Sequence, residues 1–428
     1  MTQAANRSDS ALWHPWTPIG RSVSRPFLVR GSGYRVWDQD GRMFIDAMSS
    51  ALNANCGHGD PRIADAAHRQ MQRIAHFDLG VGTHAPAQDL ARALASVMPD
   101  PALRWTTFVN SGSEATEAAI RIVHDYWGNR GDPRRHVVSF AAGYHGSTVL
   151  AKSLTTIPRN ATEVTLSFPI SRIPMPAPPR ALREGLPDAL LDAFREAMEA
   201  QPTAAVVVEP LLNVGGGIVL PTGFLRGLRA LCDETGALLV LDEVFCGLGR
   251  TGRMFGFDHE GVVPDIVTTS KGLAAGYVPI ASVTCHQTVY ESFTLPGGLG
   301  ALHYGHTTGG HAVGCAAALE VLRIVRADEL CGNAAARGAE LLEGLGALVR
   351  HERVVDVRGL GLVVSVELAS EDDAAEVLAR ALEQGVIPRQ QGRHIMAVPP
   401  LVLDRAGVDE LVTKLSAAVD QVLGHVRS

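Results

Sequence analysis

Apolar positions along the chain follow two alternating rhythms. Short continuous runs rich in Val and Leu, at 106–109, 136–140, 204–208, 237–241 and 265–268, read as strands buried on both faces. Between them, residues 61–74, 88–97, 113–127 and 223–235 carry apolar side chains at three- and four-residue spacing, as amphipathic helices do. In the last of these, Phe224, Leu225, Leu228, Leu231 and Cys232 share one face, and Gly236 supplies the stop. Strands alternating with helices predict an α/β fold built on a mostly parallel sheet.

The two ends have a different texture. Residues 33–46 place apolar positions on either side of Asp40-Gly41, which predicts a β-hairpin with a primed turn. Beyond an Ala-rich helix at 311–326, strands near 354–368 and 394–398 precede a helix from 406 whose apolar face is Val408, Leu411, Val412, Leu415, Val419 and Val422. A smaller α+β domain that pairs with the N-terminal hairpin is expected, giving 1–59 and 306–428 to the small unit and 60–305 to the large one. The proline-rich stretch 158–187 interrupts the rhythm and reads as an extended surface excursion.

The chain has 428 residues, 46% of them hydrophobic and 19% charged, so it can bury a core without disulfides. Its net charge of −7, with no dense Lys/Arg run, argues against nucleic acid and against a polybasic membrane patch. No apolar run reaches the roughly 18 residues of a membrane span. The opening residues carry no apolar stretch of signal-peptide length and the six cysteines form no CxxC, so a cytoplasmic protein with reduced thiols is expected. Lysine is scarce: only Lys152, Lys271 and Lys414 offer a primary amine among 38 cations.

Candidate chemistry gathers where the predicted strands end. Asn110-Ser111-Gly112-Ser113-Glu114 opens a helix directly after a strand, a place where free backbone N–H groups and the helix dipole attract phosphate. A plain N-cap would look the same. Glu209, Asp242-Glu243 and Lys271 each follow a buried strand, at the edge of an α/β sheet where ligands bind. Tyr144-His145 follows another and places an aromatic ring beside that edge. Pyridoxal phosphate requires a lysine for a Schiff base, a carboxylate facing its pyridine nitrogen and a phosphate cup, and all three parts are present.

The motifs NSGSEATEAAIR, GYHGST, VVVEP, LLVLDEVFCGLGRTG, PDIVTTSKGLAAGYVPI and HTTGGHAVGCAAALEVL together resemble those of the class III (ω-type) aminotransferases, in order and over nearly the whole chain. The resemblance implies a fold type I pyridoxal-phosphate enzyme. It assigns Lys271 to the Schiff base and proton shuttle, Asp242 to the pyridine nitrogen, and Val244 and Tyr144 to the two faces of the ring. Ser111, Gly112 and Ser113 match the phosphate cup, and His145 and Glu209 further cofactor contacts. Thr307 matches a threonine that reaches the phosphate of the neighbouring subunit, implying a homodimer with shared sites. Arg389 sits where many relatives place an arginine that pairs with a substrate carboxylate. An amino donor and a carbonyl acceptor would react by a ping-pong scheme, the alternative being an aminomutase or decarboxylase on the same fold.

Departures from the family pattern concern the substrate. Glutamate-using relatives carry a second Glu that switches the substrate arginine; here Val214 stands in that place. Many relatives place tryptophans before the GH element, where this chain has Ala51 and Leu52. A wider pocket is therefore expected, one that takes a natural-product ketone or the end of a modified peptide, with Trp16, Leu52 and Arg389 lining it. Two further patterns are set aside. Gly247-Leu248-Gly249-Arg250-Thr251-Gly252 matches GxGxxG, but the glycines that follow prevent the helix a dinucleotide site needs. His303, His306 and His311 have loose spacing without acids, so no metal site is expected.

Overall fold

The computed structural model describes residues 11–16, 26–155, 168–175, 178–185 and 187–424. The sheet of its large unit has seven strands in the order Leu103–Val109, Ala281–His286, Ile266–Thr269, Leu238–Asp242, Thr203–Val208, His136–Phe140 and Ile170–Ile173. Only Ala281–His286 runs antiparallel to both neighbours. The central strands are buried along their whole length, which explains their uninterrupted apolar sequences.

Two strands of this sheet were not legible in the pattern. Ala281–His286 alternates apolar and hydroxyl residues, yet Ser282 and Thr284 are fully buried, their hydroxyls paired with Thr269 at 2.7 Å and Thr106 at 2.9 Å. Ile170–Ile173 falls inside the stretch expected to be a surface excursion; it instead adds the edge strand, parallel to His136–Phe140. A short helix, Pro179–Glu184, follows it, and 158–167, 176–177 and 186 of that expectation lie outside the described residues.

The second sheet joins both chain ends. Leu28–Ser32, Arg35–Asp38 and Met43–Ala47 are continued by Val386–Gln391, His394–Ala397, Val364–Leu368 and Val354–Gly359. Met43–Ala47 lies parallel to Val386–Gln391, so the N-terminal hairpin does pair with C-terminal strands. Its turn differs from the expected primed type. The Gly41 amide donates to the Asp38 carbonyl at 3.1 Å, and Gly41 alone carries the positive φ, +80°. That makes a longer loop closed by a left-handed glycine. Helices Leu330–Gly346, Glu371–Glu383 and Arg405–Leu423 share one apolar core with this sheet.

One helix makes a contact that only glycine permits. A Cβ on Gly338 would lie 2.0 Å from the Gly361 carbonyl oxygen, in the turn between two strands of the second sheet. Backbone cannot yield as a side chain does, so Gly338→Ala is expected to destabilise by at least about 3 kcal/mol, the upper end of ordinary overpacking. Chemical denaturation monitored by circular dichroism checks this.

Candidate active site

Every candidate residue of the large sheet projects from its carboxyl edge. Asp242 ends its strand, Lys271 follows Ile266–Thr269, Glu209 follows Thr203–Val208, Tyr144-His145 follows His136–Phe140, and Ser111 follows Leu103–Val109. Parallel strands make this convergence unavoidable, because their carboxyl ends all point one way.

The helix Gly112–Asn129 begins with a full capping box. The Ser111 side chain accepts from the Glu114 amide, while the Glu114 carboxylate accepts from the amides of Asn110 at 2.6 Å and Ser111 at 3.1 Å. The N-cap reading of this motif therefore holds. The box consumes three amides and leaves those of Gly112 and Ser113 at the positive helix end. Space there is tight: a Cβ on Gly112 would come within 2.9 Å of Val244 Cγ1. Ser113 Oγ accepts from the Ser147 amide at 3.0 Å, tying the cup to the loop that carries Tyr144.

Asp242 is buried and held by three donors. Its Oδ1 accepts from the Val244 amide at 3.1 Å and from Thr268 Oγ1 at 3.0 Å, and its Oδ2 lies 2.8 Å from His145 Nδ1. The His145 ring is fully enclosed, with Nε2 3.2 Å from Ser139 Oγ. Burial works against the imidazolium, but the hydrogen bond and charge of Asp242 outweigh it and raise its pKa. Burial lowers the Lys271 ammonium, aided by Arg389 and opposed by Asp242 and Glu209. The Lys271 backbone adopts φ +38°, and its Nζ lies 5.6 Å from the Phe245 ring centre.

Glu209 and Arg389 form the opposite wall. Glu209 accepts from the amides of Tyr144 at 2.9 Å and Asn213 at 3.4 Å, and burial pushes its carboxyl up to about 7. Arg389 donates to Asn213 Oδ1 at 2.7 Å, and burial brings its guanidinium down to about 10, still charged at neutral pH. Sequence inspection had noted only that Val214 replaces the acidic switch; the neighbouring Asn213 holds the arginine instead, without a charge. Arg358, fully buried against Glu367 and Asp356, donates to the carbonyls of Gly216 and Gly217 and fixes the loop that presents Asn213.

Leu52 is buried against Phe245, Cys246, Leu211 and Met396. It ends a left-handed turn in which Ser49, Ser50, Ala51 and Leu52 all have φ between +47° and +71°. Two other residues are not brought into this cluster: Trp16 is 65% exposed, and Thr307 is exposed on a loop tied to Asn110 by Thr308 at 3.1 Å. Thr268, Asn213, Phe245 and Arg250 were not singled out for the site from sequence. Thr268 lies within a strand motif, Asn213 within a noted departure, and Phe245 and Arg250 within DEVFCGLGRTG, yet no local signal marks them. The GxGxxG stretch is followed by a single 3₁₀ turn, Gly256–His259, and no long helix opens there.

Buried amine, fixed carboxylate and anion-ready helix start thus converge at one edge of the large sheet, the set of groups a fold type I pyridoxal-phosphate enzyme requires. The class-III aminotransferase profile matches residues 20–419. Adenosylmethionine-8-amino-7-oxononanoate aminotransferase from Geobacter sulfurreducens is 34% identical, with 96% of each chain covered. The ω-transaminase from Pseudomonas jessenii, solved in complex with PMP, superposes with a TM-score of 0.90 at 32% identity, covering 96% of each chain. A thermostable ω-transaminase variant with tryptophan replaced by glycine, engineered for bulky amines, gives 0.91 at 32% identity over 96% of this chain and 97% of its own. The chain belongs to the class III aminotransferases, and its cofactor is pyridoxal 5′-phosphate.

Proposed function

We propose that the enzyme transfers an amino group from an amino acid or amine donor to a bulky ketone or aldehyde, with Lys271 and Asp242 as its catalytic residues. The convergence of Lys271, Asp242 and the Gly112 helix start at one sheet edge supports the chemistry. Bound pyridoxal phosphate supplies the electron sink and carries the amino group between the two half-reactions. The amides of Gly112 and Ser113 would hold its phosphate and Tyr144 and Val244 would flank its ring, while Glu209 and His145 fix the loop and carboxylate beside it. Asp242, locked by three donors, would keep a proton on the pyridine nitrogen. The neutral Lys271 amine removes the proton from the carbon bearing the donor's amino group and returns it one step later. The donor product leaves before the acceptor enters, giving ping-pong kinetics.

A homodimer with shared sites fits the exposed surface. Ile74, Phe77, Leu79 and Val81 are 38–79% exposed, and this segment packs beside the Thr307 loop through the stacked pair His76–His311. Burying that apolar run against a second copy would carry Thr307 toward the partner's phosphate.

The bulky acceptor is supported by Ala51 and Leu52, which fill the pocket wall less than aromatic rings would. It is supported too by the engineered neighbour, in which loss of a tryptophan serves bulky amines. Leu52→Trp is expected to cut kcat/KM for 1-phenylpropylamine at least roughly tenfold, as a few lost contacts would, and to spare 2-aminobutane. Steady-state turnover of the two amines with pyruvate reads the difference. An unchanged size preference would remove Leu52 from the pocket.

Arg389 separates two donor classes. Arg389→Ala is expected to raise KM for carboxylate donors such as alanine by roughly 10- to 100-fold, the worth of a charged hydrogen bond, and to leave simple amines unaffected. The same variant shifts a pH profile. Loading with pyridoxal phosphate needs the neutral Lys271 amine, so its rate rises with pH and levels off below the ordinary lysine value of 10.5. Removing the Arg389 charge raises the amine's pKa, moving the plateau to higher pH, as absorbance-monitored reconstitution will show.

A further inference from the structure

The left-handed turn at Ser49–Leu52 contains no glycine. L-residues disfavour this conformation, and four in succession persist only where the surroundings enforce them. The enforcing group is the side chain carried by the GLGRTG loop. Arg250 is fully buried and, among the described residues, forms no ion pair with a carboxylate. Its Nη1 donates to the carbonyls of Leu362 at 3.1 Å and Pro399 at 2.6 Å, and its Nη2 to Ser49 Oγ at 3.1 Å and Asn55 Oδ1 at 2.9 Å. Ser49 Oγ in turn donates to the Val398 carbonyl at 2.6 Å.

We propose that Arg250 is a positioning residue for substrate size: its guanidinium fork ties Ser49, at the start of the left-handed turn, to Asn55, three residues beyond its end, and thereby sets the pocket wall formed by Ala51 and Leu52. The inference rests on the pocket-wall reading of Leu52 above. A planar fork reaches four acceptors from three chain segments, which a lysine ammonium cannot match. The carrier loop is itself rigid. Leu248 and Gly249 hold φ of +59° and +93°, Leu362 N donates to the Arg250 carbonyl at 3.1 Å, and Asn55 Nδ2 donates to the Leu248 carbonyl at 2.9 Å.

Asn55 also registers the turn against the lysine loop. A Cβ on Gly272, the residue after Lys271, would meet Asn55 Nδ2 at 2.3 Å, and one on Gly276 would meet Asn53 Oδ1 at 2.8 Å. The wall and the reacting amine are thus spaced through one asparagine, bonded on one side to Arg250 and packed on the other against the lysine loop.

Arg250→Lys tests the assignment on the holoenzyme, with 1-phenylpropylamine and 2-aminobutane as probes. A loosened wall is expected to lower kcat/KM for the larger amine roughly 10- to 100-fold, as an ångström-scale misplacement does, and for the smaller amine less. Hydrogen exchange of the cofactor-free chain supplies a readout independent of activity. The amides of Leu52, Asn53 and Ala54, bonded to Met48 and Ser49 carbonyls, are expected to exchange faster, while the central strand amide of Leu239 does not. Glycine accepts positive φ freely, so adding Ser50→Gly and Ala51→Gly is expected to restore both readouts. Unchanged exchange, or no rescue by glycine, overturns the proposal. Should Arg250→Lys not fold, Ser49→Ala removes the bond from Arg250 Nη2 together with the one to the Val398 carbonyl and is expected to quicken exchange at 52–54; if it does not, the proposal also fails. Leu52→Trp separates the two readings: if it leaves size preference unchanged, the pocket-wall reading fails whatever Arg250 does.

Discussion

Lys271→Ala is expected to lower transamination by roughly 10⁴-fold or more, since it removes both the cofactor's anchor and the proton carrier. The visible band of the holoenzyme, near ~410–430 nm for a Schiff base, should vanish with it. No other lysine can take over. Lys414 is held at 2.7 Å by Glu410 on the helix Arg405–Leu423, which packs on the second sheet, and Lys152 belongs to the helix Val149–Leu154. Lys271 alone combines the strand-end position, burial that lowers its ammonium, and a backbone held at φ +38°. A small primary amine such as methylamine should restore part of the proton transfer, which a merely misfolded variant would not allow. Retention of the band in the variant would refute the assignment.

Asp242→Asn is expected to reduce kcat by roughly 10²–10³-fold, the cost of removing one preorganised charge at a reacting centre. The fold should survive. Asparagine Oδ1 can keep both bonds from Val244 and Thr268, and its Nδ2 can donate to His145 Nδ1 in place of accepting from it. His145 would then carry its proton on Nε2, facing Ser139 Oγ. Geometry is preserved and only charge is lost, so the thermal midpoint should change little while kcat collapses. A variant with the parental kcat would show that the carboxylate does not face the reacting ring.

Both predictions rest on positions legible before any coordinates. Val206–Val208 and Leu238–Leu241 are continuous apolar runs because their strands are buried on both faces, and the acids that interrupt them mark where each strand meets the ligand edge. The capped helix start was legible for a similar reason: a serine N-cap with Glu three residues on is a local code, and its capping box formed as written. Where the code was ambiguous, the reading slipped. Asp40-Gly41 suits a primed turn, but the register Trp37↔Met43 leaves five residues between the paired positions, too long for one. Ile170–Ile173 sits among prolines, which suits an edge strand as well as a loop.

What the sequence by itself determined is the gathering of the candidate residues at the sheet edge and the alternation of strands and helices around it. These follow from periodicity, capping and the shared direction of parallel strands, all properties of short stretches. Tertiary structure alone decided the contacts on which the proposed substrate wall rests. Arg389 meets Asn213 across 176 residues, and Arg250 meets Ser49 across 201. The left-handed turn at 49–52 runs against the preference of every residue in it. Local preference cannot report such a conformation, because the bonds that impose it come from segments far along the chain and exist only once the two sheets have packed.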